Sequence, residues 1–325
     1  MSSRRRIVVL DDWEQFFERL ADWSDVRARA EVTLHTAPLA GAALHDAVRD
    51  ADVLVLMRDR TRVDDKLLDH IPRLRHVIYT GTRNQAVEAE ALARRGVTLG
   101  NTEWGPSKAS TCEHTWSLIL AAVRRLEEQF ARVRQGTWRA STPQPAADVL
   151  AGERLGLIGL GEIGGRVARV GLAFGMEVLA WSPHMTPERA ASHGATAVAL
   201  ETLLASSRVI SLHLVASAAT RRLIDVPRLA LMRRDALLVN TSRAALVDMP
   251  ALRQALAEGR IAGAALDVFD DEPLAPDDPW RSVENAVLTP HSGFVAEPVL
   301  SGFASSVVRQ LAEWLDRHPA TEPAR

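Results

Sequence analysis

The sequence predicts an α/β protein of two domains, each a doubly wound parallel sheet with helices on both faces. Short β-branched runs alternate with stretches of helical spacing from end to end. That alternation falls into two series, separated by an unusually long helical pattern over residues 107–135. The strand that opens the second series runs directly into a glycine-rich turn.

In the first series, residues 7–10, 53–57 and 76–79 read as strands. The helical pattern 107–135 follows; at 1.5 Å per residue such a helix would run about 40 Å, enough to bridge two domains. Residues 136–152, GTWRASTPQPAADVLAG, are rich in Pro, Ser and Ala and read as a loop. The second series places strands at 154–158, 177–181, 209–212, 236–240, 261–267 and 286–288. A last amphipathic helix is expected over 297–317, ahead of a frayed polar tail, HPATEPAR.

Composition supports this reading. A chain of 325 residues suggests about two domains, and 47% apolar with 25% charged residues is enough to build real cores. The net charge of -2 gives no electrostatic case for nucleic acid or a membrane surface. The N-terminus is basic, but the apolar run after it stops at Asp11-Asp12, too short for a signal segment. No stretch approaches the roughly 18 apolar residues of a membrane helix. A single cysteine, Cys112, excludes an internal disulfide framework and fits a reducing cytoplasm. Within a helical pattern it reads as buried or neutral rather than as a nucleophile. No metal site is expected.

The turn lies in LGLIGLGEIGGRVARV, residues 155–170, as Gly159-x-Gly161-x-x-Gly164. Leu155, Leu157 and Ile158 enter as a strand, and a helix leaves with Ile163, Val167 and Val170 on one side. Gly159 would make the tight turn, Gly161 would let a pyrophosphate approach the backbone, and Gly164 would let helix and strand pack closely. The amides of Glu162 and Ile163 would face phosphate from the positive end of the helix. The nucleotide domain is therefore the middle of the chain, and the earlier series is another domain.

The next strand, in GMEVLAWSPH, ends in Ser182, where the ribose of NAD expects a carboxylate. Glu177 lies at the strand's opposite end. A hydroxyl removes the repulsion toward a 2′-phosphate and can donate to it. The next residue is Pro183 rather than an arginine, which leaves His184 or Arg189 as candidate clamps. The expected cofactor is NAD or NADP, with a slight lean to NADP from Ser182.

Further along, Arg243 follows the strand ending near Asn240, Asp267 ends the next strand with Glu272 in the loop beyond, and His291 stands three residues after Leu288. Strand ends of this kind are the ligand edge of open α/β sheets. A histidine beside a carboxylate holds a proton it can give and take, and an arginine fork matches a carboxylate at two points. This set suits oxidation of a 2-hydroxy acid. His213 also ends a strand and has no evident partner; His114 falls on a helix, and His70 and His193 read as surface residues.

On the ordered segments RDRTRVDDKLL, YTGTRN, EHTWSLILAAVRRL, GTW, GLIGLGEIGGRVA, NTSRAALVD, GAALDVFDDEPL and TPHSGF, the chain resembles the D-isomer-specific 2-hydroxyacid dehydrogenases over nearly its whole length. The resemblance implies two Rossmann-like/flavodoxin-like domains. One is a substrate domain from residues 1–104 and 296–325, the other a nucleotide domain from 105–295, with two long helices crossing between them. It implies Arg243, Glu272 and His291 as the catalytic residues, and Asp267 as the contact to the nicotinamide carboxamide. Thr241 joins the cofactor side, and Gly81, Thr82 and Arg83 offer backbone amides to the substrate carboxylate. Formate dehydrogenases carry glutamine where Glu272 stands, which disfavours formate. This chain departs from the family pattern at Ala244, where glycine is usual, and at Met249, where glutamate is frequent; Ala244 would mildly restrict the backbone beside Arg243.

The MRDRT segment is similar to the basic substrate loop of phosphoglycerate dehydrogenases. Arg58 and Arg60, with Arg83, would then favour an anionic or phosphorylated substrate; Arg60 and Arg62 equally fit ordinary surface charges. The expected partners are a small 2-keto or 2-hydroxy acid and a second copy of the chain, joined through the nucleotide domain in a cytoplasmic homodimer. The competing expectation is an NAD(H)-sensing, corepressor-like binding protein of the same fold.

Overall fold

The structure is a computed structural model and describes residues 4–138 and 146–319. The chain divides into two compact units, Met1–Pro106 with Val295–Arg325, and Ser107–Phe294.

In the first unit five parallel strands are laid down in the order β2-β1-β3-β4-β5: β1 (Arg5–Leu10), β2 (Ala30–Leu34), β3 (Val53–Leu56), β4 (His76–Tyr79) and β5 (Thr98–Asn101). This is one of the two common doubly wound orders. The central strand β3, VLVL, is buried at every position because helices cover both faces of the sheet. Helix Glu297–Arg317 packs on helices Phe17–Leu20 and Ser24–Arg29 of the same unit. Its stripe of Val299, Phe303, Val307 and Leu311, four residues apart, is buried.

The second unit holds seven parallel strands: β6 (Arg154–Ile158), β7 (Glu177–Trp181), β8 (Thr196–Ala197), β9 (Val209–Leu212), β10 (Leu237–Asn240), β11 (Gly263–Leu266) and β12 (Ala286–Leu288). Their order is β12-β11-β10-β9-β6-β7-β8. The winding reverses between β6 and β9, and such a switch point opens a crevice at the carboxyl ends of the strands. Leu203, Leu252 and Leu256 belong to one apolar cluster of this unit, and Ile119, Leu155 and Val167 to another. Helix Ser107–Val123 packs against helix Glu162–Ala173 and strands β10, β11 and β12.

The single helix expected over 107–135 is not formed. Ser107–Val123 and Leu126–Arg134 are separate helices, and Arg125 between them is left-handed at φ 53°. The apolar face ends at Val123: the second helix buries none of its residues, so nothing holds the two in line. Arg125 instead pairs with Glu128 at the start of the second helix, 2.5 Å away. Part of the loop expected at 136–152, and the tail from residue 320, lie outside the described residues. Cys112 is buried, and burial pushes its thiol up. Among the described residues no helix is long and apolar enough to cross a membrane.

Candidate active site

The glycine turn closes β6. Gly159 stands at φ 103°, and a Cβ there would meet the His213 carbonyl oxygen at 2.6 Å, so only glycine fits. Its N–H donates to Trp181 O at 2.8 Å, while His213 N donates to Ile158 O at 2.8 Å, which ties the turn to both neighbouring strands. A Cβ on Gly164 would come within 2.2 Å of Gly159 O, so the outgoing helix presses directly on the turn. At Gly161 a Cβ would meet nothing within 4 Å. Helix Glu162–Ala173 starts there with no side-chain cap, leaving its first amides for an anion. A pyrophosphate fits this cradle. Ser182 follows β7; Arg189, in the short helix Pro187–Ala191, turns its guanidinium back onto Leu160 O at 3.4 Å.

After β10, the Asn240 side chain builds the turn that carries Arg243. Fully buried, its Nδ2 donates to Arg243 O at 2.9 Å, and its Oδ1 accepts from Ser242 N at 3.0 Å. Arg243 is extended, with a guanidinium N–H on Ser242 O at 2.8 Å. Ala244 opens a 3-10 turn, Ala244–Leu246, and its methyl joins the core. No left-handed backbone is required there, so the expected restriction beside Arg243 does not arise. Thr241 lies 2.8 Å from the Thr115 hydroxyl, which itself donates to Thr111 O at 2.7 Å. The shared proton therefore comes from Thr241, and its oxygen is left as an acceptor.

Asp267, just past β11, is 1% exposed. One carboxylate oxygen accepts from the Thr289 hydroxyl at 2.6 Å, from Ser292 N at 2.7 Å and from His114 Nε2 at 3.1 Å; the other accepts from Gly293 N at 2.9 Å. Burial works to raise its pKa, but the hydrogen bonds from His114 and Thr289 outweigh it and hold the carboxyl below its ordinary value.

His291 stands between these bonded neighbours in the left-handed region, φ 54°. Its Nδ1 lies 2.7 Å from Glu272 Oε2, and Glu272 Oε1 accepts from Phe269 N at 2.8 Å. An ionised carboxylate can only accept, so Nδ1 carries a proton and Nε2 is the atom left for chemistry. Both side chains are about a quarter exposed, at 25% and 29%. Arg243, Asp267 with Glu272, and His291 thus follow three adjacent strands, β10, β11 and β12, at the carboxyl edge of one sheet.

In the first unit, Arg58 follows β3. It is left-handed at φ 55° and 5% exposed, with its guanidinium 4.5 Å from the centre of the Trp104 ring. Its N–H donates to Thr80 Oγ1 at 3.0 Å, and its carbonyl accepts from Asn84 Nδ2 at 2.5 Å. The expectation for Gly81 needs correction: its N–H donates to Thr102 Oγ1 at 2.8 Å, so that amide is committed within the unit. What Gly81 contributes is room, since a Cβ there would lie 2.0 Å from an Arg58 nitrogen. Thr82 and Arg83 are exposed. Arg60 is not a surface charge; it pairs with Glu14 at 2.5 Å and covers the Trp13 ring at 3.9 Å. Arg62 is exposed and pairs with Asp64 and Glu88.

Sequence reasoning passed over His114, Thr289, Asn240 and Trp104. Thr111, His114 and Thr115 share one helix face at i, i+3 and i+4, and that polar patch inside an otherwise apolar pattern was the available signal. Among the described residues no group of three or more His, Cys, Asp or Glu could hold a metal ion.

A glycine turn at the switch point, with arginine, glutamate and histidine following adjacent strands, is the arrangement expected of a dehydrogenase acting on a carboxylate-bearing alcohol. Residues 116–293 match the model of the D-isomer specific 2-hydroxyacid dehydrogenase, NAD binding domain. The chain belongs to this family and is an NAD-dependent oxidoreductase. It is 40% identical over 298 residues to the glyoxylate reductase of Aeropyrum pernix, covering 90% of this chain and 87% of that protein. The crystal structure of phosphoglycerate oxidoreductase from Vibrio cholerae superposes with a TM-score of 0.90 at 30% identity, covering 96% of this chain and 99% of that one. D-lactate dehydrogenase from Aquifex aeolicus, complexed with NAD and lactic acid, gives 0.79 at 25% identity, with 96% of each chain covered.

Proposed function

We propose that the enzyme reduces small, unphosphorylated 2-oxo acids, of the size of glyoxylate or hydroxypyruvate, to D-2-hydroxy acids. The observation that carries this reading is the His291–Glu272 pair at 2.7 Å, with the second Glu272 oxygen fixed by Phe269 N. His291 donates the Nε2 proton to the carbonyl oxygen as it becomes a hydroxyl, and takes it back in the reverse direction. Glu272 keeps the Nδ1 proton in place and offsets the imidazolium charge. Arg243 grips the substrate carboxylate with its planar fork.

The dinucleotide, when bound, supplies or accepts the hydride. Gly159, Gly161 and Gly164 with the amides of Glu162 and Ile163 would hold its pyrophosphate, and Thr241 and Asp267 its nicotinamide end. In the first unit, Arg58 and the amides of Thr82 and Arg83 are the groups offered to an anion.

Support for the substrate class comes from the 40% identity to a glyoxylate reductase. The state of the basic loop agrees: Arg60 and Arg62 are engaged in ion pairs, so the loop is not a cluster built for phosphate. For the cofactor we infer NADH. The matched domain is an NAD binding domain, whereas the lean to NADP rests on the Ser182 hydroxyl, with Arg189, one of its two candidate clamps, turned onto Leu160 O. A discontinuous substrate domain and a cytoplasmic homodimer belong to the same reading.

The test is a panel of glyoxylate, hydroxypyruvate, phosphohydroxypyruvate and phenylpyruvate with NADH and NADPH in parallel. We expect NADH oxidation, with glyoxylate or hydroxypyruvate favoured over the phosphorylated acid by about tenfold or more in kcat/KM. Preference for phosphohydroxypyruvate overturns the substrate class, and preference for NADPH overturns the cofactor. Tight NADH binding without turnover of any 2-oxo acid overturns the enzyme reading in favour of a nucleotide-sensing protein.

A further inference from the structure

We propose that His114 is a positioning residue for the reaction, holding His291 in place through the carboxylate of Asp267. The inference rests on the role given to His291 above and extends it to a residue on a different element.

The bonding leaves few ways to arrange the protons. Thr289 has one hydroxyl proton, and at 2.6 Å from Asp267 it is donated to that carboxylate. His114 Nε2 lies 3.0 Å from Thr289 Oγ1 and 3.1 Å from Asp267 Oδ1. Both of those atoms can only accept, so His114 must carry its proton on Nε2 and donate. A 1%-exposed carboxylate with fewer donors would be costly to keep ionised.

The same carboxylate receives the N–H groups of Ser292 and Gly293, directly after His291, and the hydroxyl of Thr289, two residues before it. The left-handed backbone of His291 is thus held on both sides by one buried group, and His114 helps to fix that group from helix Ser107–Val123. Gly293 closes the packing: a Cβ there would come within 3.0 Å of Asp267 Oδ2 and 3.7 Å of the His114 ring. Strained backbone persists where its surroundings over-determine it, and here they do so beside the acid–base residue.

Two variants separate positioning from simple packing. His114→Gln keeps an N–H donor near the place of Nε2, whereas His114→Leu keeps bulk and removes the donor. With hydroxypyruvate and NADH, His114→Leu should lose about ten- to a hundredfold in kcat, the scale of a misplaced catalytic group. Its kcat/KM-against-pH profile should also shift from that of the wild type. His114→Gln should restore kcat to within about threefold and recover the wild-type profile. An unchanged kcat and profile in His114→Leu, with only a lower Tm, would leave His114 a packing residue and overturn the proposal. An equal loss in both variants overturns it as well.

A third reading needs neither turnover nor a folded leucine variant. In protein labelled with 15N-histidine, with the signals assigned by the His114→Gln spectrum, His114 should carry its proton on Nε2. An unprotonated Nε2 contradicts the proposal. Because this reading is independent of activity, failure here is distinct from an inactive wild type, which would count against the proposed function.

Discussion

His291 and Glu272 are joined by a 2.7 Å contact in which the carboxylate is the acceptor. Glu272→Gln preserves the shape and removes the charge that offsets an imidazolium. We predict a loss of about 10²-fold or more in kcat, with an unchanged far-UV circular dichroism spectrum. At Arg243 the fork matters more than the charge, so Arg243→Lys should raise the KM for the 2-oxo acid by about tenfold. Steady-state kinetics over a wide substrate range reads both. Gly81→Ala is strained at φ 88° and collides with the Arg58 guanidinium. It should displace that side chain from Trp104 and change the tryptophan fluorescence. The charged residues were legible in the sequence because each follows a strand-like run, and strand ends are where such a fold puts its ligands. The donors beneath them were not: His114 reads as one more helical residue until the fold sets its helix against β11 and β12.

Among the elements, most strands found from sequence are interior ones with continuous apolar runs, such as VLVL in β3 and VISL in β9; the half-buried edge strand β12 was found as well. Those passed over are β2, β5 and β8. β2 and β5 are the two edges of the first sheet, and β8 is the edge of the second opposite β12. An edge strand has less apolar surface to bury: AEVTL has one buried residue, Ala30, followed by alternating exposed and half-buried positions, TLGN is largely exposed, and β8 has only two residues. The glycine turn was legible because its spacing answers to backbone geometry. We predict that Gly159→Ala, forced to φ 103° against the His213 carbonyl, costs about 1–3 kcal/mol and weakens NADH binding. Urea unfolding and a fluorescence titration with NADH check the two effects. The break at Arg125 was hidden because helical spacing continues across it; what stops is burial.

Over the whole molecule, each unit contains a histidine kept neutral by its surroundings. Burial holds His76 in the first unit and His213 in the second at a pKa of about 4, against an ordinary 6.5. The unfolded chain takes up these protons below about pH 6.5 and the folded chain does not until about pH 4, so stability is full above 6.5 and declines as pH falls toward 4. For His76, 8% exposed, the shift corresponds to about 3 kcal/mol. His76→Gln should flatten the decline in urea midpoint between pH 7 and 4.5; an undiminished slope would remove His76 as its source. The central claim concerns the reaction, and its most direct test is NADH oxidation with hydroxypyruvate by the wild type and His291→Ala, side by side. The account predicts turnover that yields the D-hydroxy acid, reduced by about 10²–10⁴-fold in the variant at unchanged fold. An L product, or a variant as fast as the wild type, would contradict it.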